Sequence, residues 1–382
     1  MILEKIDLLI KNGHILDPAA GVDQIGCIGI HSGRSIGLTA EDTPAKTVVD
    51  ASGCYVFPGL VDFHTHIFYR GSSLCVPPDC LIPMGVTTAA DAGSAGCSNF
   101  RSFYSDIVAH SLVRIRTYLN VCSYGQPGDN FAEDFDPAKF CEEKIINLVR
   151  SYPHQIRGLK IRMGAEVLYG QGLEPLRRAK ELAVRCGLPI VVHASNPPSS
   201  EGELLSILDR GDVLCHCYHG KGENTILDKS GHVYEAVRAA RERGIIFDCA
   251  NGITNYNHTV AQKAIADGFL PDIISTDLCE AICNRDGYGK SLPYVMAKYL
   301  WLGMSMTDVV RAATAVPARE LGLEGRAGTL SAGAYGDAVI CRHIEASPVF
   351  LDNFGEARTG DQMLVPMMTV KNGEILYRQS DF

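Results

Sequence analysis

The chain has 382 residues, 46% of them hydrophobic and 21% charged, with a formal net charge of −9. This is the composition of a folded chain long enough for one large domain with a satellite, and it excludes a disordered polymer. Neither sign of charge forms a long block, so the concentrated basic face that phosphate binding needs is missing and no nucleic-acid partner is expected.

The opening stretch MILEKIDLLIKNGHILD breaks its apolar run with charges and has no small-residue cleavage site, so no signal peptide is expected. No run approaches the roughly 18–20 uninterrupted apolar residues that a membrane span requires. The expectation is a soluble, cytoplasmic protein without a membrane partner. In that compartment the 14 cysteines stay reduced and serve as small buried apolar residues. Only Cys215/Cys217 and Cys279/Cys283 lie close in sequence, and neither has a second pair at zinc-knuckle spacing.

Residues 1–55 carry short strand signals punctuated by Gly and Asp, in DLLIKNGHIL, GCIGIHSGRSIGL and TVVDASG. The pattern then changes to apolar or β-branched runs separated by amphipathic segments. In order, the runs are CYVFPGLVDFHTH, GVTTAADAG, VRIRTYLNVCSYG, IRGLKIRM, PIVVHAS, VLCHCYHG, IIFDCANG and DIISTDLC. Helical spacing occupies NFRSFYSDIVAHSL, PAKFCEEKIINLVRSYP, LEPLRRAKELAVRCG, HVYEAVRAARERG and HTVAQKAIADG; several end in Gly, as helix C-termini prefer. GSAG at 93–96 reads as a turn. Eight runs alternating with helices over about 270 residues match a (β/α)8 barrel. An open doubly wound sheet fits the alternation too, but no G-x-G-x-x-G follows an early strand.

After residue 325 the short strands return, in DAVICRHIE and LVPMMTVKNGEILY, with a hairpin turn expected at Asn372-Gly373. The expected fold class is therefore α/β: a TIM-like (β/α)8 barrel over 56–325. Both chain ends, 1–55 and 326–382, form a small β-sandwich domain beside it.

All strands of such a barrel point the same way, so their C-terminal ends share one rim, where active sites are built. Run one ends in His64 and His66, which alternate along a strand and so face one way. Run four carries Lys160, run five ends in His193, run six carries His216 and run eight ends in Asp277. Singly, each has a plainer reading. A strand-end histidine is most often a hydrogen-bonded structural residue, Lys160 an exposed side chain and Asp277 a helix cap. Jointly, four imidazoles and a carboxylate suit zinc or a similar divalent ion, and two such ions can share a bridging water. A protonated lysine is a poor ligand, but its neutral amine adds carbon dioxide to give a carbamate whose two oxygens bridge metals. Cys279 reads as pocket wall, and no G-x-S-x-G elbow supports a serine nucleophile.

With these residues in view the chain resembles the amidohydrolase superfamily. The resemblance is carried by FPGLVDFHTH (57–66), GVTTAADAGS (85–94), the lysine in GLKIRMG (158–164) and the aspartate in IISTDL (273–278). TAVPARELGL (314–323) and GTLSAGAYGDAVI (328–340) extend it over nearly the whole length. Within it, KIRMG, HCYHGKGENTILD and ADGFLPDIISTDL resemble the dihydroorotase-like amidohydrolase/deacetylase branch. Members of that branch carry the names dihydroorotase or adenine deaminase and hydrolyse amide or acyl-ester bonds.

The resemblance implies that His64, His66 and Asp277 hold one metal ion and that His193 and His216 hold a second. Carbamylated Lys160 and a hydroxide bridge the two ions, and Asp277 acts as the catalytic base and then acid. It also implies a small-molecule substrate and a homo-oligomer. Two departures fall in loops: Asn251 stands where relatives have histidine, and His219 where they tend to have asparagine. Both are candidate substrate contacts. So are Arg162 and Arg285, whose guanidinium groups suit a substrate carboxylate and equally suit an ordinary salt bridge. A purine-ring deaminase is the alternative activity, although deaminases of the superfamily commonly use one metal and lack the lysine. An inactive scaffold is the alternative class.

Overall fold

The protein is described here by a computed structural model covering residues 5–128 and 131–382. The N-terminal segment forms β1 (Ile6–Asp17), β2 (Val22–His31), β3 (Arg34–Leu38), β4 (Ala45–Asp50) and β5 (Tyr55–Pro58). The run CYVFPGLVDFHTH then divides at Gly59, and β6 (Leu60–Thr65) opens the barrel. It is followed by β7 (Val86–Gly96), β8 (Arg114–Asn120), β9 (Ile156–Arg162), β10 (Ile190–His193), β11 (Val213–Cys215) and β12 (Ile246–Asp248). The C-terminal segment adds β13 (Ala338–Glu345), β14 (Val349–Leu351), β15 (Ala357–Thr359), β16 (Gln362–Lys371) and β17 (Glu374–Arg378).

Strands β6 to β12 pair in parallel and in chain order. The eighth run does not form a full strand, because Asp277 takes a left-handed φ of 56° that ends the extended backbone. It still closes the barrel. Ile273 bridges Asp248 on one side, and Leu278 bridges Thr65 on the other. The Asp277 N–H donates to His64 O at 2.8 Å, and His66 N–H donates to Leu278 O at 2.8 Å. Val61, Phe63, Ala90, Tyr118, Val191 and Val213 fill the interior with fully buried side chains, so the barrel is a packed core and not a pore.

The helical spacing yields helices at Glu142–Ser151, Glu174–Cys186, Glu235–Glu242 and His258–Ala266. A helix at Leu292–Trp301, buried along almost its whole length, was not among the sequence expectations. GSAG is not a turn: it continues β7, with a register shift between Ala92 and Gly96 that absorbs the left-handed φ of Gly93. Among the described residues no helix is long and apolar enough to cross a membrane.

Both chain ends build one mixed eight-stranded sheet, in the order β17-β16-β13-β5-β1-β2-β3 with β4 also on β1. Asn12, at φ 61°, forms a bulge between Ile10 and Gly13, so β4 pairs below it and β5 above it on the same strand. This sheet has its own apolar cluster, including Leu8, Ile28, Val56, Ile340 and Met368. The hydrogen bonding is continuous along the order given and does not divide into two separate sheets. The expected Asn372-Gly373 turn joins β16 to β17, both residues at positive φ as a two-residue hairpin demands. The hairpin β14–β15 leaves the mixed sheet and packs Phe350 against Tyr294 and Trp301.

Asp337, just before β13, ties the mixed sheet to the barrel. Its buried carboxylate accepts from Arg114 Nη1 at 2.7 Å on β8, Lys371 Nζ at 3.1 Å and Asn372 N at 2.8 Å. Removing it would leave two largely buried cations without their partner, so Asp337→Ala should cost about 3–5 kcal/mol of stability. Thermal or urea unfolding of the variant checks this.

Candidate metal centre

The barrel register carries the six candidate ligands to one place. Lys160 Nζ lies 3.3 Å from His64 Nε2, and Asp277 Oδ1 lies 3.5 Å from His64 Nε2 and 3.3 Å from His66 Nε2. The His216 ring centroid is 5.1 Å from that of His64 and 4.2 Å from that of His193. All but His216 line a cavity of about 240 Å³ at the C-terminal rim, together with Arg162, Gln126, Asn255 and Cys279.

Neighbouring groups set how the imidazoles face. His216 Nδ1 lies 2.7 Å from the Ala250 carbonyl, which only accepts, so Nδ1 carries the proton and Nε2 presents a lone pair. That Nε2 is buried and has no protein partner. His64 turns Nδ1 toward Asp248 (3.4 Å), and His66 turns Nδ1 toward Ser94 Oγ (2.9 Å). Both leave Nε2 facing Asp277. Such outer carboxylate and hydroxyl contacts are what orient metal-binding imidazoles. His216 and Asp277 both sit at positive φ, 64° and 56°, a strained backbone that only a tightly determined site sustains.

Protonation states match this role. Burial above all holds His64, His193 and His216 well below the ordinary imidazole value, and the nearby Lys160 charge adds to it. They are therefore neutral, the form that binds metal. Burial pushes the Asp277 carboxyl up, but the His66 hydrogen bond and the neighbouring imidazole groups of His64 and His216 outweigh it, so the group stays well below the usual carboxylate range. Lys160 is 1% exposed. Among the described residues it forms no ion pair, an expensive state for a buried ammonium.

An orphaned imidazole nitrogen, a buried lysine without an ion pair among the described residues and three mutually close donors on His64, His66 and Asp277, all within 4.8 Å of one another, fit divalent metal and a carbamate. His64, Cys215 and Asp248 also lie this close. Burial, however, pushes the Cys215 thiol well above its ordinary value, which keeps it protonated and unsuited as a ligand.

The four candidate substrate contacts diverge. Arg162 lines the cavity, with Nη1 held at 2.6 Å by Glu133 and Nε buried without a partner. His219 lies outside the cavity lining, buried against Glu201 at 3.3 Å, because its backbone N–H turns back onto His216 O. Asn251 is also buried outside it, its carboxamide accepting from Lys298 Nζ at 3.0 Å. Arg285 is exposed, its guanidinium over the Tyr288 ring, in a loop whose sequence does not fix its direction. Cys279 does line the cavity wall.

The sequence reading missed several residues that touch the cluster. Asp248, which closes run seven, and Ser94, inside GSAG, were legible by the strand-end rule. Asn255, which donates to Asp277 Oδ2 at 3.0 Å, and Glu133 sit in loops with no local signal.

A closed parallel barrel with a histidine, lysine and aspartate cluster on its C-terminal rim defines a class of barrel proteins equipped to hold metal. Residues 55–360 match the amidohydrolase family, and the chain belongs to it. A deacetylase of Agrobacterium fabrum is 33% identical over 343 residues, spanning 88% of this chain and 83% of its own. A deacetylase of Enterococcus faecalis is 29% identical over 373 residues, spanning 97% and 98%. The solved structure of an adenine deaminase matches with a TM-score of 0.90 at 28% identity, covering 98% of this chain and 100% of that one. That of a dihydroorotase matches at 0.89 and 30% identity, covering 97% and 98%.

Gly93 on β7 makes room for Lys160: a Cβ there would stand 2.6 Å from Lys160 Cγ, on a backbone at φ 90°. Gly93→Ala should displace Lys160 and destabilise the fold by about 1–3 kcal/mol. The denaturation midpoint and the metal content of the purified variant test both effects.

Proposed function

We propose that the protein is a binuclear metal-dependent hydrolase that cleaves an amide or acyl-ester bond of a small molecule. The observation that carries this reading is the buried cluster at the barrel rim, in which His216 Nε2 has no protein partner and Lys160, without an ion pair among the described residues, meets His64 Nε2 at 3.3 Å. His64, His66 and Asp277 would hold one ion, and His193 and His216 the other, with carbamylated Lys160 between them. Two zinc or similar ions held there supply an acidified water near neutral pH and a Lewis acid for a carbonyl oxygen.

The chain's own residues do the rest. Asp277 is held ionised, so its carboxylate accepts a proton and returns it to the leaving atom. An amide nitrogen depends on that delivery far more than an ester oxygen. Arg162 is clamped on one edge by Glu133, itself fixed by Asn120 Nδ2 at 2.7 Å, and its remaining edge suits a substrate carboxylate. The cavity of about 240 Å³ admits only a small substrate. The relatives named deacetylase favour an acyl group as the part removed.

The decisive experiment is a metal count on purified protein, followed by a screen of N-acyl amino acids, O-acyl hydroxy acids, cyclic ureides and adenine. Near two ions per chain with turnover of an acyl compound supports the reading. Turnover of adenine alone replaces it with a deaminase, and no bound metal replaces it with a scaffold. Asp277→Asn should lower amide hydrolysis by about 10²–10⁴-fold and ester hydrolysis less, measured as kcat/KM. If the variant keeps its metal and most of its amide activity, Asp277 is not the proton carrier.

A further inference from the structure

Lys298 is 0% exposed, in the middle of the Leu292–Trp301 helix, and no carboxylate pairs with it among the described residues. Its Nζ lies 4.0 Å from the Tyr256 ring centroid and 5.5 Å from that of Phe350. Its hydrogen bond is to Asn251 Oδ1, at 3.0 Å. Burial draws this amine down to about 7, against the opposing pull of Cys249 and Asp352. A fold keeps so costly a group only when the surrounding structure gains from it, and a methionine would fill the same space at lower cost.

The geometry shows where that gain falls. Asn251 starts the loop after β12, its N–H bonded to Ser275 O at 3.1 Å and its Nδ2 to Gly252 O at 3.2 Å. Gly252, at φ 55°, lies so close to Asp277 that a Cβ on it would stand 2.5 Å from Oδ2. Its N–H donates to Thr276 O at 3.0 Å. Three residues on, Asn255 Nδ2 donates to that same Oδ2, and Asn255 Oδ1 accepts from Ser195 Oγ at 2.7 Å. The loop 251–255 therefore determines which way the outer oxygen of Asp277 points, while Oδ1 faces His64 and His66.

We propose that Lys298 is a positioning residue: through Asn251 it braces the 251–255 loop from beneath, and the loop holds Asp277 in the orientation that proton delivery needs. Lys298 reaches neither the cavity nor any candidate ligand. The proposal also assigns a role to Asn251, which faces the brace and not the substrate. It rests on the hydrolase reading above for its catalytic consequence, and not for its structural one.

The structural arm is amide hydrogen exchange on the metal-loaded protein. Lys298→Met should leave the thermal midpoint and the metal content at or above those of the parent, yet speed exchange at residues 251–255 by about tenfold, through more frequent local opening. Asn251→Ala should speed exchange at the same residues to a similar extent, and the double variant should add nothing further to that exchange. Unchanged exchange in Lys298→Met, or additive effects in the double variant, overturns the brace whatever the substrate.

The catalytic arm compares matched amide and ester substrates. Lys298→Met should lower kcat on the amide by about tenfold or more, with KM within about twofold and the ester much less affected. A purely structural loss would lower both alike, and equal loss overturns the positioning role. If the parent protein cleaves neither substrate, the hydrolase reading fails on its own, and the exchange arm still decides the brace.

Discussion

Everything at the rim depends on how the barrel closes. The segment 273–278 is too irregular to count as a strand, yet it is bonded on both flanks, to β12 through Ile273 and to β6 through Asp277 and Leu278. The hydrogen bond from Asp277 N–H to His64 O sets the first and last elements of the barrel in register. Asp62 reinforces it one step deeper, accepting from Thr276 N at 3.1 Å and from Thr276 Oγ1 at 2.6 Å. Residues more than two hundred positions apart become neighbours through this seam. Without it His64 on β6 and His66 just past its end would face an open edge, and open edges expose unpaired backbone groups.

Beneath the imidazoles lies a layer of buried acids. Burial pushes the Asp62 carboxyl up to about 7 and that of Asp248 up to about 6, against their hydrogen bonds to Thr276 and Ser275. Asp91 is raised too, although it accepts from the Ile67 and Ser94 backbones. These groups fix neighbouring backbone and orient His64, while Asp91 holds the irregular stretch of β7 at which Ser94 meets His66. A buried carboxylate set under neutral imidazoles is costly in an apolar core. Among the described residues Lys160 has no carboxylate partner, whereas Arg162 has Glu133. The lysine lies among the imidazoles, whereas the arginine stands at the cavity wall with one edge still free.

The candidate ligands were legible in the sequence because each one closes or interrupts a strand run, and a parallel barrel converts that one-dimensional position into a shared rim. His64, His66, Lys160, His193, His216 and Asp277 all obey the rule. The loop residues do not. Arg285 and Arg162 looked equivalent as cations near the rim, yet one stacks on Tyr288 at the surface and the other lines the cavity. Asn251 and His219 drew attention as departures from a family pattern, and both turned inward, bonded to Lys298 and Glu201. GSAG looked like a turn because small residues are turn residues. In the barrel they let β7 pass close to Lys160, and Ser94 meets His66.

By itself the sequence determined the alternation of strands and helices, the return of short strands at both ends, the Asn372-Gly373 hairpin and the chemical identity of the rim. These follow from local periodicity and backbone preference, which act over a few residues. Only the tertiary structure decided that the eighth run closes the barrel through two bridges and that the end strands bond as one continuous sheet. It also decided that Asn255 and Glu133 reach the site and that Lys298 is buried beneath Asn251. Those facts depend on loop direction and long-range packing, where side chains from distant segments compete for the same space and no local pattern records which one prevails.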